Sequence, residues 1–321
     1  MKAISYARYG GPEVLGLGEV DDPRVGPDSV LVKVRAAAVN PVDWKCREGY
    51  LDPVLQPVFP VVPGWDVSGV VVRPGPAAPE FAVGDEVIGY VRQDVLSHGT
   101  FAEYVAAPVR ALARKPRALS FEEAAGLPLA GLTAYQVLHR VLEVKRGETV
   151  LVHAAAGGVG SIAVQLAAHL GARVIGTASE RNHDFVRGLG GEPVSYGEGL
   201  AERVRGLAPE GVDAVFDTVG GDALRASANL LAPEGRLASI TDPEVVGLRR
   251  PLLVRPPRPP GPPAPLRPGG PGHGHRPRLG NPPPGASGGR PPPEPGGAYP
   301  RQDRGDGERI APPGIHSPSG V

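Results

Sequence analysis

Thr149-Val150-Leu151-Val152-His153-Ala154-Ala155-Ala156-Gly157-Gly158-Val159-Gly160-Ser161 is an apolar run that stops on a glycine-rich turn and opens into a helical pattern. The β-branched and apolar residues 150–152 suit a parallel strand covered on both faces. Beyond the glycines, Val159, Ala163, Leu166 and Leu170 recur at helical spacing up to Gly171, which suits a helix C-terminus. Strand, tight turn and helix together bring backbone N–H groups and the positive end of a helix to a pyrophosphate. The spacing Ala154-x-x-Gly157-x-x-Gly160 is a variant of G-x-G-x-x-G, and Ala-Gly turns are common, so the turn alone leaves a purely structural reading open.

The following strand narrows the choice. Ala172-Arg173-Val174-Ile175-Gly176-Thr177-Ala178-Ser179-Glu180-Arg181-Asn182 is a second apolar run, and it ends in polar residues about 20 positions past the turn, where a ribose contact is expected. No acidic residue closes it. Ser179 and Arg181 stand where an aspartate would otherwise bind the ribose 2′-hydroxyl, and a hydroxyl with a guanidinium suits a 2′-phosphate. The expected cofactor is NADP(H) rather than NAD(H), with Glu180 turned to solvent.

The whole chain sets the bounds. At 321 residues it has room for two domains with proper cores. Lys plus Arg (34) equals Asp plus Glu (34), which argues against nucleic acid or an anionic membrane as a charge-driven partner. The single cysteine, Cys46, excludes an intrachain disulfide and a multi-cysteine zinc lobe. Met1-Lys2-Ala3-Ile4-Ser5-Tyr6 has no signal-peptide pattern, and no apolar stretch reaches the roughly 18 residues of a membrane span. The expectation is a soluble, cytoplasmic protein.

Residues 1–119 are dominated by short apolar runs cut by Gly and Pro: Val30 to Ala37 alternates, Val67 to Val72 is continuous, and Glu86 to Tyr90 follows a Gly84-Asp85 turn. This spacing predicts a small, mostly β, barrel-like domain. Ser120-Phe121-Glu122-Glu123 has capping-box spacing and opens a helical run that passes Ala130 to Tyr135. From there to residue 248 strands alternate with helices, with further strands at Val212–Asp217 and Gly235–Ile240, so the fold class is α/β with a doubly wound parallel sheet.

Four ordered motifs carry a family resemblance: Ala38-Val39-Asn40-Pro41-Val42-Asp43-Trp44-Lys45, Pro63-Gly64-Trp65-Asp66-Val67-Ser68-Gly69, Gly131-Leu132-Thr133-Ala134-Tyr135, and His153 to Gly160. Residues 1–248 resemble the medium-chain dehydrogenase/reductase superfamily, and more narrowly its zinc-free NADPH:quinone oxidoreductase branch that includes ζ-crystallin. The resemblance implies a GroES-like catalytic domain over 1–119, an NADPH-binding Rossmann domain over 120–248, and a homodimer. Zinc-dependent relatives place a cysteine and a Gly-His-Glu segment on the metal, where this chain carries Asn40, Trp65 and Asp66. An amide and an indole do not replace thiolate and imidazole at Zn²⁺, so no catalytic metal is expected. Without a Lewis acid, alcohol dehydrogenation is disfavoured, whereas a quinone or enone already offers an electron-poor carbon to a hydride.

The expected reaction is hydride transfer from NADPH to a quinone or an α,β-unsaturated carbonyl. Ala154, Gly157, Gly158, Val159 and Gly160 would hold the pyrophosphate, and Ser179, Arg181 and Tyr196 the 2′-phosphate. By resemblance, Thr133 would touch the nicotinamide amide and Val219 would lie along the ribose. Asn40 is the leading candidate to bond the acceptor oxygen, with Asp43 and Tyr50 as neighbours. Each has a bland alternative: Asn40 in a turn before Pro41, Asp43 as a helix cap, Tyr50 as a rim aromatic. His153 reads as packing, and Asp217 as the cap of the turn that follows it. An NADPH-binding protein without turnover and a zinc alcohol dehydrogenase relative are the competing readings.

From Arg249 the composition breaks. More than half of the 40 prolines follow residue 248, so residues 249–321 read as a Pro/Gly/Arg-rich tail that builds neither helices nor a core. The family's chain would here supply a further sheet strand, helices and a last strand. The genetic code permits an alternative: read one nucleotide later, Arg249 to Arg258 yields a Gly-Gly-Arg-Tyr-Ser-Phe-Val segment and Tyr299 to Gly307 a Gly-Lys-Ile-Val segment, both family-like. The tail therefore reads as out-of-frame sequence, which adds an inactive, frameshifted copy of the reductase to the competing readings. The competing reading is a genuine polyproline or basic arm.

Overall fold

The computed structural model describes residues 1–248; every reading placed on 249–321, the tail and its out-of-frame origin included, lies outside the described residues. The chain opens with β1 (Lys2–Ser5), β2 (Gly16–Glu19) and β3 (Ser29–Ala36), followed by helix α1 (Pro41–Arg47). Strands β4 (Gln56–Val62), β5 (Asp66–Pro74), β6 (Glu86–Tyr90), β7 (Val95–His98), β8 (Tyr104–Pro108) and β9 (Leu112–Arg114) follow. β8-β3-β5-β6-β9 form an antiparallel sheet, beside the small pairs β1-β2 and β4-β7. Val30, Val32, Val67, Val71, Val87 and Val105 project from this sheet into one core, as the alternation in the sequence requires.

Ser120 caps α2 (Phe121–Ala125) through a capping box in which its hydroxyl accepts the Glu123 amide at 3.1 Å. The helical run expected from Ser120 through Tyr135 does not continue unbroken. It stops at Gly126 and restarts as α3 (Pro128–Gln136), because Pro128 has no N–H to give and its ring clashes with a preceding helical turn.

The remainder alternates strictly: β10 (Thr149–Val152), α4 (Gly158–His169), β11 (Arg173–Ala178), α5 (His183–Gly188), β12 (Glu192–Ser195), α6 (Leu200–Leu207), β13 (Val212–Asp217), α7 (Gly221–Ala228), β14 (Leu231–Ser239) and α8 (Val245–Leu248). The five strands are parallel in the order β12-β11-β10-β13-β14. Val150 and Val152 face a core shared with α3 and α4, while Leu151 between them faces the core under α6 and α7. Burial on both faces explains why the strand reads as an unbroken apolar run. The order reverses between β10 and β13, so a crevice opens at the C-terminal ends of these strands, where open α/β sheets bind ligands.

Candidate active site

The crevice has a volume of about 790 Å³. Residues just past the ends of four of the five strands contribute to its wall: His153 and Ala154 after β10, Ser179 after β11, Tyr196 after β12 and Val219 two positions after β13. Six of the proposed cofactor residues, Ala154, Gly157, Ser179, Arg181, Tyr196 and Val219, thus line one space. Gly158, Val159 and Gly160 form the first turn of α4 beside it. The N-cap is Gly157, which has no side chain to satisfy the first-turn amides.

Two details show how the variant turn works. Ala154 has a φ of 47°, the left-handed conformation that glycine takes more readily, and its amide is held by the Thr177 hydroxyl at 3.0 Å. Gly160 is indispensable: a Cβ there would sit 2.1 Å from the Ala154 carbonyl oxygen. The motif's first glycine is replaceable by a strained alanine, but its last is not.

At the far end, the Arg181 guanidinium has no hydrogen bond or ion pair among the described residues, and Glu180 is exposed and outside the crevice lining. An unpaired guanidinium beside a serine hydroxyl fits a phosphate dianion. Asn182, Glu198 and Asp222 also line the crevice; they belong to no motif, and only the fold brings them in. Thr133 is not in this space. It lines a separate, mostly apolar cleft of about 380 Å³ with Tyr90, Leu129, Leu132 and Ile240.

His153 is buried, with its ring nitrogens 2.6 Å from Ser227 Oγ and 3.3 Å from Thr177 Oγ1, and burial holds its pKa below the ordinary value. Its packing role stands. Asp217 accepts the amides of Val219 and Gly220 and the Ser239 hydroxyl at 2.6–3.1 Å, so it caps the turn as expected.

The second cluster lies where α1 meets β5. Asn40 is the N-cap of α1, and its backbone N–H donates to Asp43 Oδ2 at 2.7 Å, so the helix-capping reading of Asp43 is realised. The Asn40 side-chain nitrogen donates to Asp66 Oδ2 at 2.9 Å, and Asp66 Oδ1 accepts the Leu129 amide at 2.9 Å in the first turn of α3. Burial pushes the Asp43 carboxyl up to about 6 against the pull of the Asn40 and Gly64 amides. Burial likewise raises Asp66 to about 6 against the Asn40 and Leu129 bonds, with the charge of Asp43 adding to the rise. Tyr50 is exposed, with its ring edge-on to Trp44 at 5.8 Å; the structure does not bring it into the Asn40 cluster.

The positions that would hold a metal fit it poorly. Asn40 turns a donor, not a lone pair, toward Asp66, Trp65 packs edge-on against Tyr90, and the described residues contain no group of three His, Cys, Asp or Glu arranged to hold an ion.

Comparison with known proteins agrees with this architecture. Residues 26–117 match the alcohol dehydrogenase GroES-like domain, and residues 158–248 the zinc-binding dehydrogenase domain. The 2-haloacrylate reductase of Burkholderia sp is 35% identical, with 80% of each chain covered. The chloroplastic NADPH-dependent alkenal/one oxidoreductase of Arabidopsis thaliana is 42% identical over 68% of this chain and 58% of its own length. The Escherichia coli quinone oxidoreductase, solved in complex with NADPH, superposes with a TM-score of 0.68 at 32% identity, covering 74% of this chain and 72% of that one. The chain belongs to the medium-chain dehydrogenase/reductase family, with a GroES-like domain and a Rossmann-type parallel sheet. It spans less than two thirds of the length of several curated relatives, the Arabidopsis enzyme among them.

Proposed function

We propose that this protein is an NADPH-dependent reductase of quinones or α,β-unsaturated carbonyls that works without zinc. The observation that carries the reading is the crevice at the strand ends, with uncapped α4 amides at one side and the unpaired Arg181 beside Ser179 at the other. NADP(H), when bound, supplies the hydride. The α4 amides of Gly158, Val159 and Gly160 would hold its pyrophosphate, and Ser179, Arg181 and Tyr196 its 2′-phosphate; Thr133 and Val219 would flank the nicotinamide end. Beyond the bond to Asp66, the second Asn40 side-chain N–H makes only a long contact to the Ala38 carbonyl, and it would turn to the oxygen of the acceptor as negative charge develops there. Relatives named as alkenal/one, haloacrylate and quinone reductases support an electron-poor acceptor.

The test follows NADPH absorbance with 1,4-benzoquinone and with an enone, using NADPH and NADH in parallel and repeating after exhaustive chelation. Oxidation that prefers NADPH and survives chelation is the expected result. Tight NADPH binding with no oxidation by either acceptor would leave a cofactor-binding protein without turnover. We further propose that residues 249–321 are out-of-frame sequence. The zinc-binding dehydrogenase match ends at residue 248, where the composition breaks. The nucleotide sequence of the gene tests this: an adjacent frame lacking a Gly-Lys-Ile-Val ending would refute it.

A further inference from the structure

We propose that Asp66 is the positioning residue of this site, orienting the Asn40 amide and tying it to the start of α3; the inference rests on the acceptor-binding role given to Asn40 above. Asp66 is fully buried at the first position of β5. Its two carboxylate oxygens are divided between two elements distant in sequence: Oδ2 takes Asn40 Nδ2 and Oδ1 takes the Leu129 amide, both at 2.9 Å.

An ionised carboxylate only accepts hydrogen bonds. Asn40 must therefore turn its nitrogen, not its oxygen, toward Asp66, and the choice between the two amide orientations is made by this one charge. The second N–H of that nitrogen makes only a long bond, 3.5 Å to the Ala38 carbonyl oxygen, a contact that an acceptor oxygen could displace. On the other side, an anion at the first turn of α3 satisfies an amide that no neighbouring side chain caps. Leu129 and Thr133 of that helix line the 380 Å³ cleft, so one buried carboxylate ties Asn40 to the helix that carries this wall. A buried charge without a cationic partner is costly to keep, and no cation pairs with Asp66 in the described structure.

The experiment uses the full chain. In Asp66→Asn, kcat/KM for 1,4-benzoquinone should fall on the order of tenfold or more, mostly through kcat, as expected for a lost hydrogen bond to a charged group. The NADPH dissociation constant, read by fluorescence, should stay within about twofold, because the Arg181 end of the crevice is untouched. The reversed pair, Asn40→Asp with Asp66→Asn, should regain thermal stability but not turnover, since it restores a bond while removing the donor. Wild-type rates in Asp66→Asn, a loss of NADPH affinity equal to the loss of turnover, or a fully active reversed pair would each overturn the proposal. An inactive wild type would defeat the functional reading instead, and the pairing is then judged alone by ¹³C titration of the Asp66 carboxyl. Asn40→Ala should raise its midpoint; an unmoved midpoint refutes the pairing.

Discussion

The crevice and the Asn40 cluster are polar sites built on opposite plans. Around Asn40 the groups bind one another: Asp43 takes a backbone amide, Asp66 takes a side chain and a backbone amide, and both carboxyls are buried. In the crevice the groups that matter have no partner: the α4 amides lack a cap and Arg181 lacks a counter-ion among the described residues. The first plan fixes a geometry before any ligand arrives. The second leaves charge and donors unpaired, the arrangement that the proposed dinucleotide would use. Perturbation should therefore act on the first site through orientation and proton uptake, and on the second through affinity.

The largest effect should come from the one place in the crevice with no slack. Gly160→Val drives a side chain into the Ala154 carbonyl, and about 3 kcal/mol or more of stability should be lost together with NADPH binding; thermal unfolding and fluorescence titration measure both. Next is Asp43. Its pKa is raised to about 6 by burial, so the folded state keeps a proton in a range where the unfolded chain gives it up. That contribution to stability is present at low pH and is lost as pH rises through the window between the two pKa values. Asp43→Asn lacks it, and the unfolding free energy of the variant relative to wild type should improve by about 2–3 kcal/mol between roughly pH 4 and pH 7. The carboxyls held low by partners, Asp85, Glu148, Glu192 and Asp242, cancel in that difference.

Arg181→Ala should weaken NADPH binding by roughly 10- to 100-fold and leave NADH nearly unchanged, the loss of one or two charge-assisted bonds to a phosphate. Parallel titration with both nucleotides measures it, and equal losses for the two would break the contrast between the sites. Glu180→Ala should be the smallest perturbation, below about 0.5 kcal/mol in NADPH binding, because Glu180 faces solvent outside the lining. A large gain in NADPH affinity would instead show that this carboxylate repels the 2′-phosphate.

Much of the crevice was readable from the chain because its residues lie in short, contiguous motifs. Strand, turn and helix at 149–170 behave as the apolar pattern predicts, and Ser179 and Arg181 follow at the expected distance. The split between α2 and α3 was also written locally, in Gly126-Leu127-Pro128, although the periodicity of the flanking residues argued for one helix. In the sequence Asp66 stands out only beside the positions where zinc-dependent relatives hold the metal. Its bonds to Asn40, 26 positions away, and Leu129, 63 positions away, leave no trace in local spacing. Thr133 joins the cofactor residues by resemblance alone, and its place in a second cleft beside Ile240 is set by the fold.

The sequence by itself determined the alternation of strands and helices, the glycine-rich turn at 154–160 and the Ser179 and Arg181 that follow β11, because each depends on neighbours a few residues apart. Only the tertiary structure decided which way the Asn40 amide points, that Asp66 is buried without a cation, and that Arg181 has no partner among the described residues. Those facts depend on which distant groups arrive at the same place, and burial and pairing are properties of that arrival rather than of any segment.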